Sequence, residues 1–332
     1  MRVLARRALE HALPMPRCIE AMDQAMRAAS AGETDVPLRS HLPIRGTRGK
    51  LVVMPGSAPG LGVFGLKIVS KYPRAHGSAV GTHVGMVIVF DTDEGLAQAM
   101  LEGGTLTEIR TAAASALATR ELAREEASVL AILGTGAQAE RHALAIPVVR
   151  PIHELRLWGR TPANAQALAA RLAPKMSAKI TVCGSAEAAV RGADIVCTTT
   201  SSTTPVLQGE WLSPGTHVNL VGAAVASSAE ADSRCLQRAR IYVDSRSAAE
   251  AEAGELRDAL AAGQITTDAI IGEIGELLLG RIKGRLDSSD ITLYKSLGMA
   301  AQDLAAATAA LEGARSLGLG FDLDLAESSD EH

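Results

Sequence analysis

The stretch Val129–Ala143, VLAILGTGAQAERHA, runs from five apolar residues through two glycines into an alanine-rich, helix-like segment. Gly134, Gly136 and Ala139 fit the pattern G-x-G-x-x-A between a strand and a helix. In that setting the first glycine permits a tight turn and the second lets the backbone approach a pyrophosphate. The pyrophosphate charge then lies at a helix N-terminus, whose free N–H groups favour an anion. Ala139 allows close helix–strand packing. The pattern alone is weak, because glycine-rich triplets are common in loops, and a turn without a nucleotide is the alternative. The surroundings favour the nucleotide. Six strand-like runs, VLAIL, LRLWG, KITVC, DIVCTTTS, HVNLVG and RIYVD, begin near residues 129, 155, 179, 194, 217 and 240. Helical or connecting segments such as 161–172 and 185–191 separate them. Strands alternating with helices imply a Rossmann-type, doubly wound parallel sheet.

The kind of dinucleotide is read at the end of the second strand, where an acid ordinarily binds the adenosine ribose. Here LRLWG runs into Gly159, Arg160 and Thr161, with no Asp or Glu. An Arg at that place suits a 2′-phosphate, so NADP(H) is expected over NAD(H). A surface Arg that stacks on adenine without discriminating is the alternative. Gly134, Thr135, Gly136, Ala137, Gln138, Arg160, Thr161 and Thr199 are the expected cofactor-binding residues.

Upstream the chain reads as mixed α/β. A helix is expected over Met15–Ala31. Strands are expected over Lys50–Gly56, Val63–Pro73 and Gly85–Asp91, and a long helix over Thr107–Ala127. After Asp244 the chain is expected to be mostly helical, ending in a helix over Lys295–Leu311 that returns to the first domain. The polar tail LAESSDEH is expected to fray.

Composition narrows the function classes. The 332 residues are too many for one core in most architectures, so two domains are expected. Aromatics make up 2%, which disfavours base-stacking platforms, and the formal charge of -4 comes with no long basic run. Nucleic-acid binding is therefore not expected. Cys18, Cys183, Cys197 and Cys235 are scattered without a CxxC pair, which disfavours a zinc ribbon and suits a reducing compartment. Arg2, Arg6 and Arg7 are not followed by an apolar h-region, and no apolar run reaches the ~18 residues of a membrane span. A soluble cytoplasmic protein with no metal site is the expectation.

The chain resembles the ornithine cyclodeaminase/mu-crystallin family from about Pro37 to Ala307. The resemblance rests on VPLR (Val36–Arg39), MPG (Met54–Gly56), GLKIVSKYP (Gly65–Pro73) and TEIRTAAASALA (Thr107–Ala118). It continues through GTGAQA (Gly134–Ala139), WGRTPANA (Trp158–Ala165), GADIVCTTTSS (Gly192–Ser202), PGTHVNLVGA (Pro214–Ala223) and SLGMAAQDLAAA (Ser296–Ala307). It implies a homodimer with a mixed α/β substrate-binding and dimerisation domain, residues 1–125 with 300–332, and a Rossmann domain, residues 126–299. It also implies that Arg39, Lys67 and Arg110 grip a substrate α-carboxylate, with Lys67 and Arg110 at the chemistry. Arg offers a planar fork to a carboxylate and Lys a compact charge. A solvated Arg39 and a surface Arg110 are the alternatives. Lys67 lies in an apolar strand, where a lone ammonium needs an anion, and the substrate carboxylate is the expected one.

The sequence departs from the family at two places. Cyclodeaminases carry an Asp shortly after the VG that ends the fifth strand, and the matching position here is Ala224. In YPRAHGSAVGTHVG, His76 stands where the family commonly has Asn. Thr82 and His83 precede the next strand and are candidate substrate contacts. Arg45, Arg48 and Lys50 thicken the cationic loop after Arg39, which a second acidic group on the substrate would explain, as would ordinary solubility. Reducing an imine needs orientation and charge, because the hydride comes from the cofactor. The expected function is an NAD(P)H-dependent reductase of α-imino acids such as Δ1-pyrroline-2-carboxylate or Δ1-piperideine-2-carboxylate. A cyclodeaminase, a linear imino-acid reductase like alanine dehydrogenase and a crystallin-like ligand-binding protein are the alternatives.

Overall fold

The computed structural model describes residues 1–73 and 83–324 and divides into two compact units, Met1–Arg110 with Met299–His332 and Thr111–Gly298. The chain opens with β1 (Arg2–Leu4), α1 (Arg6–Ala12) and α2 (Met15–Ala31). The strands β2 (Ser40–Pro43), β3 (Lys50–Ala58), β4 (Val63–Lys71), β5 (His83–Asp91) and β6 (Ala97–Glu102) follow, then α3 (Gly103–Leu122). Helix α3 starts four residues before the expected Thr107 because the Glu102 carboxylate accepts the amides of Gly104 and Thr105, at 2.7 and 2.8 Å. It ends five residues early, where the Arg150 guanidinium takes the carbonyls of Arg120, Ala123 and Arg124.

The second unit continues with β7 (Val129–Leu133), α4 (Ala137–Ala145), β8 (Glu154–Trp158), α5 (Pro162–Leu172), β9 (Lys179–Val182), α6 (Ala186–Val190), β10 (Ile195–Thr198) and β11 (His217–Leu220). Then come α7 (Ser233–Arg238), β12 (Ala239–Val243), α8 (Arg246–Glu252), α9 (Gly254–Ala261), β13 (Ile270–Glu273), α10 (Ile274–Leu278) and β14 (Ile291–Lys295). Its eight strands form one parallel sheet in the order β13-β12-β14-β11-β10-β7-β8-β9. The order reverses between β7 and β10, the switch point of a doubly wound sheet, as the alternation predicts. The central strands are buried on both faces, which is why they read as continuous apolar runs.

The expectation after Asp244 is corrected in two places. β13 and β14 extend the sheet, β14 lies between β11 and β12, and Lys295, the expected first residue of the last helix, is instead the last residue of β14. Its Tyr294 and Lys295 are fully buried. The Asp244 carboxylate accepts the amides of Leu297 and Gly298, both at 2.5 Å, which closes the strand. Helix α11 (Ala300–Leu317) begins only afterwards, and β15 (Phe321–Asp322) follows it.

Helix α11 belongs to the first unit, whose sheet has the order β15-β1-β6-β5-β4-β3-β2. All its pairs are antiparallel except β1 with β6. Helix α11 lies on β3, β4 and β5. Close approach is possible because Gly56 and Gly65 sit opposite each other in β3 and β4. A Cβ on Gly56 would be 2.8 Å from Ala300 Cβ, and one on Gly65 would be 3.2 Å from Leu304 Cδ2. All four cysteines carry free thiols. No helix among the described residues is long and apolar enough to cross a membrane.

Candidate active site

In the second unit, β7 delivers Gly134 to the turn at φ +134°, a conformation that favours glycine. A Cβ there would also lie 2.4 Å from Thr199 Oγ1. The Thr199 amide donates to Leu133 O at 2.8 Å, so Thr199 forms the wall of the turn. Gly136 is the N-cap of α4 and supplies no side-chain acceptor to its first amides. A Cβ on Gly136 would meet nothing within 4 Å, so the space beside the bare helix end is open. Ala139 is buried, and Gln138 Oε1 is buried with no hydrogen-bond partner among the described residues. Thr135 lies against Gly159, and Arg160 and Thr161 stand exposed at the end of β8. An uncapped helix end, an open cradle and a positive-φ glycine fit a dinucleotide pyrophosphate. The expected residues Gly134, Thr135, Gly136, Ala137, Gln138 and Thr199 thus come together at one turn.

A buried histidine secures this turn from below. His142 Nδ1 lies 2.7 Å from Gln138 O and Nε2 lies 2.9 Å from Ser115 Oγ. Burial pushes its pKa down to about 4. The ring is therefore neutral, with the proton on Nδ1 donated to the carbonyl and the Ser115 hydroxyl donating to Nε2.

Ala224 lies in the loop after β11, half-buried. The carboxylates that follow it are already engaged. Glu230 is fully buried and accepts five hydrogen bonds, from Thr198 Oγ1 (2.8 Å), Thr200 N (2.6 Å), Thr200 Oγ1 (2.7 Å), Gly222 N (2.6 Å) and Ala223 N (3.0 Å). It ties the loops after β10 and β11 together. Asp232 caps α7 through the Cys235 amide. Lys295, fully buried, donates to Ala223 O and to Glu255 Oε1 at 2.9 Å. The Ala223 peptide is thus held at both its N–H and its C=O. Nothing in the sequence pattern singled out Glu230, because its side-chain partners come from two separate segments, 198–200 and 222–223.

In the first unit, Lys67 sits mid-strand in β4 and Arg110 in α3, both buried. The expectation that the substrate supplies the anion for Lys67 is corrected here. Asp303, in the first turn of α11, lies 2.7 Å from Lys67 Nζ and 3.0 Å from Arg110 Nε. Gln302 Oε1 accepts from a second Arg110 nitrogen at 3.0 Å. Burial alone would raise the Asp303 carboxyl, but the charges of Arg110 and Lys67 hold it below its ordinary value. Burial brings Lys67 down to about 8 against the pull of Asp303, and Arg110 and then Arg39 push it further in the same direction. The sequence signal for Asp303 was a lone acid among the alanines of SLGMAAQDLAAA. Lys67 and Arg110 are two cations on the one Asp303 carboxylate. The cluster thus keeps a net positive charge, which suits an additional carboxylate. Thr82 and His76 lie outside the described residues, and His83 is the first residue of β5. No group of three or more metal-binding side chains occurs among the described residues.

The comparisons with known proteins agree with this geometry. The model of the ornithine cyclodeaminase/mu-crystallin family matches residues 1–317. The chain is 37% identical over 325 residues to a Delta(1)-pyrroline-2-carboxylate reductase of Bacillus cereus, covering 98% of this chain and all of that one. It is 38% identical over 271 residues to the ketimine reductase mu-crystallin of Mus musculus, 82% of each chain. The structure of Thermococcus litoralis Delta(1)-pyrroline-2-carboxylate reductase in complex with NADH and L-proline superposes with a TM-score of 0.94 at 31% identity. That match covers 97% of this chain and 100% of the other. With the fold, the glycine turn and a family model spanning nearly its whole length, the chain belongs to the ornithine cyclodeaminase/mu-crystallin family.

Proposed function

We propose that the protein is an NAD(P)H-dependent reductase of α-imino acids, yielding L-amino acids, with Δ1-pyrroline-2-carboxylate or Δ1-piperideine-2-carboxylate as the reference substrates. The observation that carries this reading is the cluster of Lys67, Arg110 and Asp303, on which Arg39 also acts and which keeps a net positive charge for a substrate carboxylate. Relatives named for reduction of pyrroline-2-carboxylate and of ketimines support the reaction.

The cofactor, when bound, supplies the hydride that adds to the carbon of the C=N bond. The chain's own contribution is binding and charge. The α-carboxylate is held by Lys67 and Arg110, with Arg39 adding to the field, which fixes the orientation of the imine carbon beside it. The imine nitrogen is protonated as the bond is reduced, and the carboxylate leaves unchanged. Asp303 holds both cations in place and keeps Lys67 charged near neutrality. An acid at Ala224 is not needed for these steps, whereas deaminating cyclisation requires proton removal from an amine. Purified protein should therefore consume NADPH with pyrroline-2-carboxylate and release little or no ammonia from ornithine. Robust ornithine cyclisation would overturn the reading in favour of a cyclodeaminase.

The preferred cofactor is NADP(H), because Arg160 and Thr161 stand exposed where an acid would select NAD(H). Calorimetric titration should show tighter binding of NADPH than NADH, and Arg160→Asp should reverse the order. Equal affinities in the wild type would remove Arg160 from this role.

The protein works as a homodimer joined through the outer face of the first sheet. Phe64, Leu66 and Ile68 of β4 stand there opposite Phe90, Ile88 and Met86 of β5, and Phe64 and Met86 are exposed. A contiguous apolar face of this kind marks an association surface. Sedimentation at twice the 34.4 kDa chain mass is the expected result, and a monomer would refute it.

A further inference from the structure

Between Asp35 and Asp91 the chain has seven Lys and Arg residues and no Asp or Glu. The anions that could answer those charges must come from elsewhere. Asp303 answers Lys67 and is already shared with Arg110. Further along the same face, Lys71 and Lys50 stand directly opposite each other across β4 and β3, both half-buried. Like charges directly opposite in an antiparallel pair are destabilising. Burial lowers the Lys71 ammonium, and the charges of Lys50 and then Arg39 lower it further. A half-buried cation pair held against that repulsion is the arrangement expected of an anion subsite.

Its position relative to the carboxylate cluster is set by the strand. Lys71 lies four residues beyond Lys67, hence on the same face and about 13 Å away along β4, at ~3.3 Å per residue. One apolar row, Val52 opposite Val69, separates the two. The flexible four-carbon stems shorten the gap between the ammonium groups. Arg39 is within range of both, since its charge acts on Lys67 and on Lys71.

We infer that the substrate is an α-imino acid carrying a second carboxylate, and that Lys71 and Lys50 form the subsite for it. The inference rests on the reductase reading above and specifies its substrate class. The second carboxylate takes no part in the bond changes. It is held by the two ammonium groups while the first is held by Lys67 and Arg110.

The test compares two imines of methylamine, one formed with 2-oxoglutarate and one with pyruvate, which differ in the second carboxylate and the carbons that carry it. Wild-type kcat/KM should favour the 2-oxoglutarate imine by about ten- to a hundred-fold, the usual effect of hydrogen bonds to a charged group. Lys71→Gln and Lys50→Gln should each bring that ratio towards one, mainly through KM. Calorimetry should show L-glutamate binding more tightly than L-alanine in the wild type, with the difference lost in both variants. If Lys71→Gln does not fold, Lys50→Gln carries the comparison. A wild-type ratio near one, or a ratio unchanged by either substitution, overturns the inference. If neither these imines nor pyrroline-2-carboxylate is reduced, the reductase reading fails. A glutamate preference that disappears with Lys71 would then still uphold the subsite.

Discussion

Lys67→Met and Arg110→Met should each lower kcat/KM for an α-imino acid by roughly 30- to several-thousand-fold, the effect of losing about 2–5 kcal/mol from a buried charged contact. The physical reason is the charge count at the cluster. Lys67 and Arg110 share Asp303, so removing either leaves the carboxylate with one close partner and a site with much less net positive charge to hold an anion. Affinity for NADPH should stay nearly unchanged, since the glycine turn lies in the other unit of the chain. Stability should fall as well, because Asp303 loses one of its two cations. The discriminating measurement is therefore the binding of an amino-acid product against the binding of NADPH. Activity within a few-fold of wild type in both variants would place the substrate site elsewhere. The pH profile adds a second check. With Lys67 lowered to about 8, the charged form that holds the carboxylate is lost as pH rises through that value. The kcat/KM of the wild type should decline above about pH 8, because this quantity reports the ionisation of the free enzyme.

Asp303→Ala should destabilise the protein by about 3–5 kcal/mol near neutral pH, measured as a lowered midpoint in urea, because it strands two buried cations. The deficit should shrink as pH rises. Without Asp303 the folded-state pKa of Lys67 falls further below its unfolded value, so the unfolded chain binds the extra proton and stability increases with pH. Arg110 cannot relieve itself in this way, since it stays protonated. A deficit independent of pH would mean that Lys67 is not the group Asp303 stabilises. A variant as stable as wild type would mean that water reaches the cluster.

Much of the Rossmann sheet was legible because its strands obey local rules. VLAIL is apolar throughout, and HVNLVG and RIYVD are mostly so, since a parallel sheet covered on both sides buries most of its residues, and their neighbours carry helix starts and glycine stops. The same logic failed at ITLYK. This run contains Thr, Tyr and Lys, and it leads into an alanine-rich helix. Only the surrounding structure shows that Tyr294 and Lys295 have buried partners, Asp244 and Glu255. The end of α3 was misplaced for a related reason. Its sequence remains helix-compatible past Leu122, and the arginine that terminates it comes from residue 150.

At the candidate site the division is equally physical. The glycine turn was legible in the sequence alone, since Gly134 and Gly136 answer to backbone conformation and close approach, which are properties of a few consecutive residues. The sequence by itself also determined that Lys67 needs an anion, because an ammonium in an apolar strand does so wherever it is folded. Which anion answers it was decided only by tertiary structure. Asp303 lies more than two hundred residues from Lys67 in the chain, and only the seating of α11 over Gly56 and Gly65 brings the two together. The pairing of Lys50 with Lys71 and the five hydrogen bonds into Glu230 were decided in the same way. Charge neutralisation and hydrogen bonding depend on distance in space, and a linear pattern carries no measure of that distance until the chain has folded.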